Sequence, residues 1–385
     1  MRRTDSAAPG VVESWGECCD DAGEHITLLL RSSNLQGSFI GFVLIVLFFV
    51  LLPTQAVSQP RKPASVAELS TYGGSDRDQL LYTGAKTEGT VAWYTSLAGD
   101  SYKAVARAFE TKYAGVRIEA YRAGGTDLVV RIGEEAKARR PAFDVLETTR
   151  EHLMMTRADN FLRAYFSPQL AKYPDAAKER ADKGLAFWTV DRESYNGLGY
   201  NKSQLSAGAV PKGFDGLLHP ELRGKLGIAF GESANKAIGA MVKIKGEGFV
   251  RKLKAQEIKI YTVSSAALVD LIASGEIGAS FHIYRNHALV SMDKGSPVGW
   301  LPMEIAFTNS GAVALAAQPP HPHGALLLID FLLGEGQKVL EKFQYGQPYT
   351  DYGFKRWYPE AGLSVGEYEK QDTKWEKLVK EITRR

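Results

Sequence analysis

Cysteine is nearly missing. The 385-residue chain carries two, the adjacent Cys18 and Cys19, and none after them. A disulfide framework and a thiol nucleophile are excluded for everything downstream. The one G-x-S-x-G match, Gly362 to Gly366, follows the Tyr358-Pro359-Glu360-Ala361 stretch rather than a strand-like run, so the strand-turn-helix elbow that presents a hydrolase serine has no counterpart. Charge of one sign is not in excess: 47 Lys and Arg stand against 44 Asp and Glu, for a formal net charge of +3. Nucleic-acid binding needs a clustered basic stripe, and nucleic acid is not an expected partner. No period of roughly 20–50 residues marks a repeat array.

The one strong apolar run is Phe39 to Leu52 (FIGFVLIVLFFVLL), 14 uncharged residues. A spanning helix needs about 20, whereas a secretory h-region fits this length. Ala56 and Ser58 follow as the small residues of a cleavage signal, so cleavage is expected after Ser58 or Ala56. Residues 1–58 therefore read as an N-terminal extension and signal peptide. Met1 to Gln36 holds six acidic residues, which suits an n-region poorly, and a start near Leu28 would leave Arg31 as its positive charge. An uncleaved membrane anchor is the alternative. The exported chain has no cysteine for lipid attachment and carries 44 basic against 38 acidic residues.

The stretch from Gly89 to Arg150 alternates strand, loop and helix. Thr90 to Tyr94 is rich in β-branched and aromatic residues, and Thr95 to Asp100 supplies turn chemistry. Tyr102, Val105, Ala106, Phe109 and Tyr113 then form one apolar helical stripe, with Gly115 as its stop. A second strand alternates around Val116, Ile118 and Ala120, Gly124-Gly125-Thr126 opens the next helix, and Phe143 to Leu146 forms a third strand. Such a β-α-β-α-β run builds a mostly parallel sheet, and ligands sit beyond the carboxyl ends of its strands. Tyr94, Thr95, Ser96, Arg122, Gly125, Thr126, Thr148 and Arg150 are placed there. Helix N-termini at these loops favour an anionic group.

Leu185 to Val190 and Leu198 to Tyr200 read as two extended segments flanking a polar turn, Asp191 to Asn196, where the chain first crosses between lobes. Ile258 to Val263 is a strand, after which Ser264 is a natural N-cap for a helix beginning near Ser265. Ala279 to Tyr284 is a strand with His282 and Ile283 on opposite faces, followed by Arg285. Asn309 precedes a buried-looking strand, Ala312 to Ala316, and Leu326 to Leu333 is the last strongly apolar helix. The tail is expected to be helical over Thr373 to Ile382.

Four stretches taken in order carry a family resemblance: EGTVAWYTSL from Glu88, GFDGLLHPELRGKLGI from Gly213, SSAALVDLIASGEI from Ser264, and TNSGAVALAAQPPHPHGALLLIDFLLGEGQ from Thr308. Their order and spacing resemble the iron(III)-type branch of the extracellular solute-binding proteins of ABC importers, over residues 65–350. The resemblance implies the α/β type 2 periplasmic binding fold, two lobes that are each a mixed, mostly parallel sheet flanked by helices, joined by crossing strands. Residues 59–190 plus 305–348 would form lobe I, 191–304 lobe II, and C-terminal helices within 349–385 would pack across both. It also implies a periplasmic monomer without cofactor or catalysis, closing like a hinge on a small solute and delivering it to an ABC permease in the inner membrane.

Ferric members of that family hold the metal with a Tyr-Tyr pair after a Gly-Glu turn and with a His after the first strand. Counting from Gly275-Glu276, the pair falls near Arg285-Asn286 with only Tyr284 adjacent, and Ala98 stands at the His position. Ferric iron wants anionic oxygen ligands, whereas Arg122, Arg150 and Arg285 suit a carboxylate or phosphate. A small anionic solute or an iron complex is therefore the expected ligand, contacting the residues named above together with Ser264, Ser265, His282, Tyr284, Arg285 and Asn309. Direct ferric binding through Tyr94, His282 and Tyr284 is the alternative. A secreted metal-dependent hydrolase is the second, using His321 and His323, or His282 and His287 with Glu276.

Overall fold

The computed structural model describes residues 63–140 and 142–383. The apolar run Phe39 to Leu52 and the cleavage positions after Ala56 and Ser58 lie outside them. Helix α1 (Val66–Thr71) begins where Ser65 accepts the Glu68 amide, and α2 (Arg77–Glu88) ends at Gly89, whose φ of 77° is open to glycine without strain. The alternation anticipated from Gly89 onward follows as β1 (Thr90–Thr95), α3 (Ser101–Lys112), β2 (Arg117–Arg122), α4 (Gly125–Lys137) and β3 (Val145–Thr149). β1 pairs in parallel with both β2 and β3. Helix α5 (Arg150–Ala158) is followed by the short strands β4 (Leu162–Arg163) and β5 (Lys178–Arg180).

β6 is one continuous strand, Ala186–Asn201, with no turn at its polar middle. The second half of the chain adds β7 (Gly227–Ala229), α6 (Glu232–Lys245), α7 (Glu247–Lys252), β8 (Lys259–Tyr261), α8 (Ser265–Ser274), β9 (Ala279–Tyr284), α9 (Arg285–Asp293) and β10 (Val298–Leu301). β11 (Ala306–Ala316), α10 (Pro322–Leu333), α11 (Gln337–Glu341), β12 (Arg356–Trp357) and α12 (Val365–Thr383) complete it.

β6 and β11 hold the two halves together. At its first half β6 pairs with β5 and β11, while Asn196 to Asn201 pair with β9 and β10. β11 passes from β6 to β3 on its other edge. Each half has its own apolar interior. In the first, Trp93, Phe109, Leu327 and Phe331 lie on one side of the sheet and Leu128, Leu146 and Trp188 on the other. In the second, Leu198, Phe281 and Met241 pack with Trp375 of α12, and Leu268, Ile283 and Val298 form a further cluster. α12 lies against α6 because residue 239 is glycine. A Cβ there would stand 2.6 Å from the Trp375 ring.

The His-Pro-His turn is a structural clasp. Asp144 accepts the His321 amide at 2.6 Å and faces its ring at 2.8 Å, while Glu88 accepts the His323 and Gly324 amides at 3.1 and 2.8 Å. Two carboxylates distant in sequence, one at the end of α2 and one just before β3, thus satisfy the free N–H groups that open α10.

Candidate functional site

The loops after β7, β8 and β9 meet the crossing strands at a cavity of about 250 Å³. Of the residues expected to bind ligand, Ser264, Ser265, His282, Tyr284 and Asn309 are brought together here. Ser264 also accepts the Ala267 amide as the cap of α8. Tyr284 Oη accepts from Asn309 Nδ2 at 2.9 Å, which leaves Asn309 Oδ1 buried without a partner. His282 is fully buried, and its Nε2 accepts the Ala229 amide at 3.1 Å. Its Nδ1 therefore carries the proton toward Ser233 Oγ, 3.2 Å away. Burial pushes the pKa of His282 down to about 4, so the ring is neutral at physiological pH.

The start of α5 approaches from the other half of the molecule, with Glu151 reaching Lys236. His152 lies between Thr149 Oγ1 at 2.7 Å and Thr126 Oγ1 at 3.3 Å. Gly125 makes room for it, since a Cβ there would stand 2.4 Å from His152 Nδ1. Burial lowers the pKa of His152 as well. One ion pair joins the two walls: Lys236 Nζ of α6 stands 3.4 Å from Glu151 Oε1 of α5 and 2.6 Å from Glu232 Oε1. Lys236 and Glu151 are buried, at 3% and 6% side-chain exposure. Glu232 is half-exposed by area yet crowded by neighbours, and desolvation followed by repulsion from Glu151 raises its pKa. Asp372 of α12, held by Asn235 Nδ2 at 3.2 Å, adds a further carboxylate whose pKa burial raises.

Other expected contacts are engaged elsewhere. Tyr94 is buried beneath α4, donating to Glu135 Oε1 at 2.5 Å, with its pKa pushed up to about 12 by burial and by that bond. Thr95 is fully buried and donates to Glu147, and Thr148 is fully buried with an unpartnered hydroxyl. Arg150 points away from the cleft, with Nε 3.2 Å from the buried Glu360 and Nη1 2.9 Å from the Ala176 carbonyl. Arg122 reaches the Leu97 carbonyl at 3.4 Å, and Arg285 lies 5.3 Å over the Tyr352 ring. None of these three arginines lines the cavity, which removes the cations on which the anion preference rested.

The floor between the lobes carries a buried ionic group that the sequence reading took for a turn. Arg192 Nε meets Glu147 Oε1 at 2.9 Å, and its Nη2 donates to Ser96 Oγ at 3.3 Å. Beside them Asp191 is fully buried, with neither carboxylate oxygen hydrogen-bonded. Desolvation first, then the Glu147 charge, raises its pKa well above the ordinary value. An acid whose folded pKa is raised subtracts stability once pH exceeds its unfolded value near 3.8. Asp191→Asn is therefore expected to stabilise the protein by about 1–3 kcal/mol at pH 7, with the gain vanishing below about pH 4. Urea unfolding across that range checks it, and equal stability of the two proteins at pH 7 would refute it.

The metal readings lose their ligands. Tyr94 is remote from the cavity wall, and both ring nitrogens of His282 are taken. His321 and His323 face separate carboxylates. Glu276 accepts from Tyr261 at 3.0 Å. Among the described residues no group of three or more His, Cys, Asp and Glu side chains is placed to hold a metal ion.

No protein-family model matches the sequence, and no curated protein does. Solved structures match over most of the chain. Iron-bound HitA from Pseudomonas aeruginosa aligns with a TM-score of 0.60 at 21% identity, over 77% of this chain and 99% of that one. The substrate binding protein of an ABC transporter from Agrobacterium tumefaciens aligns with 0.64 at 14% identity, over 78% and 97%. The periplasmic binding protein AfuA from Actinobacillus pleuropneumoniae, with fructose-6-phosphate bound, gives 0.60 at 21%, over 76% and 99%. The fold is that of the two-lobed periplasmic binding proteins. The cavity lies beside β11, which lines it with Asn309. Sequence reasoning missed Glu151, His152, Glu232, Ser233 and Lys236 in that cleft. The Gly231-Glu232-Ser233 turn after β7 has the same strand-loop-helix form as the loops it did find, so that signal was present.

Proposed function

We propose that this chain is the solute-binding component of an importer, capturing a small solute in the cleft and handing it to a membrane permease without altering it. The observation that carries this reading is the cavity of about 250 Å³ beside the crossing strand β11, lined by the starts of α6 and α8, with Glu151 of α5 reaching its Lys236. Hinge closure about a few strand residues is the motion such an arrangement permits. The Glu151–Lys236 contact spans the two walls and would part on opening. Residues 59–190 with 305–348 act as lobe I and 191–304 as lobe II, with the C-terminal segment bracing them. Export with cleavage after Ser58 or Ala56, a periplasmic location, a monomeric state and the absence of catalysis belong to the same reading. No helix among the described residues is long and apolar enough to cross a membrane.

Native mass spectrometry of the exported protein, isolated without refolding, tests the proposal together with small-angle scattering. A co-purifying small molecule whose removal by dialysis increases the radius of gyration is the expected result. No bound molecule, and scattering unchanged across a broad solute screen, would refute capture by closure.

A further inference from the structure

Two neighbouring residues of α5 carry opposite charges, and each meets its opposite from a distant part of the chain. Arg150 Nε stands 3.2 Å from Glu360 Oε1, and Glu151 Oε1 stands 3.4 Å from Lys236 Nζ. All four side chains are buried, none exposing more than 6% of its area. Arg150 and Glu151 belong to the first half of the molecule, where Leu153 of the same helix enters the apolar interior and Arg150 Nη1 donates to the Ala176 carbonyl at 2.9 Å. Glu360 and Lys236 belong to the second. Trp357 and Leu363, on either side of Glu360, pack on the interior of that half, and so does α6, which carries Lys236, through Ala237 and Met241.

The C-terminal segment roofs both contacts. Arg150 Cζ lies 5.2 Å over the Tyr358 ring, and Lys236 Nζ lies 6.0 Å over the Tyr368 ring. Tyr358 is itself tied to Glu193 of the long strand β6, and Tyr368 is buried. Charges kept away from water discriminate strongly between right and wrong partners. Exchanged partners would set Arg150 against Lys236 and Glu151 against Glu360, like against like, so the alternating signs admit one register of closure. The same pairs ease opening. Ions recover hydration as they separate, whereas parting a dry apolar contact only exposes apolar area to water.

We propose that the first turn of α5 is one jaw of a reversible electrostatic latch and that Glu360 and Lys236 are the other; this rests on the molecule being a hinge-closing binding protein. The latch fixes the register in which the halves close and lets them part again for release. The C-terminal segment is thereby a working part of the closure, because it supplies one charge of the latch and both rings that keep it dry.

Spin-label distance measurement on the full exported protein, without solute, tests it. The exported chain has no cysteine, so Val130→Cys on α4 and Ile244→Cys on α6, both at exposed positions, place one label on each half. Glu360→Gln strands Arg150 in the closed form and is expected to raise the ratio of long to short distances about tenfold or more. Arg150→Met combined with Glu360→Leu leaves no bare charge and is expected to hold the short distance at least as fully as the parent. Arg157→Met, which breaks the Arg157–Glu179 pair lying within the first half, should change neither distance. Opposite responses of the single and the paired replacement are the signature of a latch. Opening in both would make the pair an ordinary strut, and an unmoved single variant would mean that the contact joins no moving parts; either result overturns the proposal. Should Glu360→Gln not fold, Glu151→Gln keeps the test in hand, since Lys236 is still held by Glu232 at 2.6 Å. It should open the molecule in the same direction, and no opening there overturns the proposal equally. Because no solute is present, failure of the latch leaves capture standing. Failure of capture is read separately, from the absence of any co-purifying molecule.

Discussion

Lys236→Met is expected to cost about 3–5 kcal/mol of unfolding free energy, because it strips the counter-charge from a buried carboxylate rather than removing a surface pair. Lys236 and Glu151 expose 3% and 6% of their side chains, so water cannot take over the role of the ammonium. Burial alone works against the charge of Lys236, and Glu151 and Glu232 outweigh it, so its pKa is raised well above 10.5. A raised lysine contributes its stability below the unfolded pKa and loses it only as pH climbs through the folded one. The defect should therefore be constant from about pH 6 to 9. At about 2–4 °C per kcal/mol for domains of this general size, the melting temperature falls by on the order of 10 °C. Glu151→Gln added to Lys236→Met should recover more than half of the loss, since the pair acts as a unit. A single variant that melts within about 1 °C of the parent would show that the ion pair is not buried in solution. The same variant reports on motion. Glu151 and Lys236 come from opposite walls, so its loss should expand the solute-free protein in scattering measurements.

The parts of the fold that were legible in the sequence were those with a local cause. The apolar stripe through Val105 and Phe109 gave α3, and strict alternation placed β9 at Ala279–Tyr284, the span observed. Ser264 was readable as a cap because the reason for a cap lies within three residues of it. β6 was split in two because Asp191 to Asn196 is as polar as a turn. Those side chains are satisfied at long range, Glu193 by Arg356 at 2.9 Å and by the hydroxyls of Tyr195 and Tyr358, and no local pattern announces such partners. Tyr94 was placed in the cleft by its position at a strand end, but strand alternation turns it under α4 toward Glu135. Glu151 and Lys236 lie 85 positions apart and meet only once both lobes are folded. The part of the cavity built from local caps was thus found, and the long-range ion pair beside it was not.

Arg192→Met is expected to be as damaging as the loss of Lys236, about 3–5 kcal/mol. Its guanidinium is 7% exposed and Glu147 is fully buried, with Thr95 donating to the second carboxylate oxygen. Gly311 is the position that admits this pair, since a Cβ there would stand 2.5 Å from both Arg192 Cζ and Glu147 Oε1. Without Arg192 two carboxylates, Glu147 on β3 and Asp191 on β6 either side of β11, remain with no cation between them, and Asp191 already lacks any partner for its oxygens. Lysine in place of arginine should rescue only part of the loss, because one ammonium cannot reproduce the fork that holds Glu147 and Ser96 together. Protonation relieves bare carboxylates, so the deficit should be largest above about pH 6 and shrink toward pH 4. Because β6 carries Arg192 across the hinge, the variant should also blunt solute-induced compaction even where solute still binds. A deficit that is unchanged between pH 4 and pH 7 would mean that these carboxylates reach solvent, and that the floor of the cleft is open where the structure has it closed.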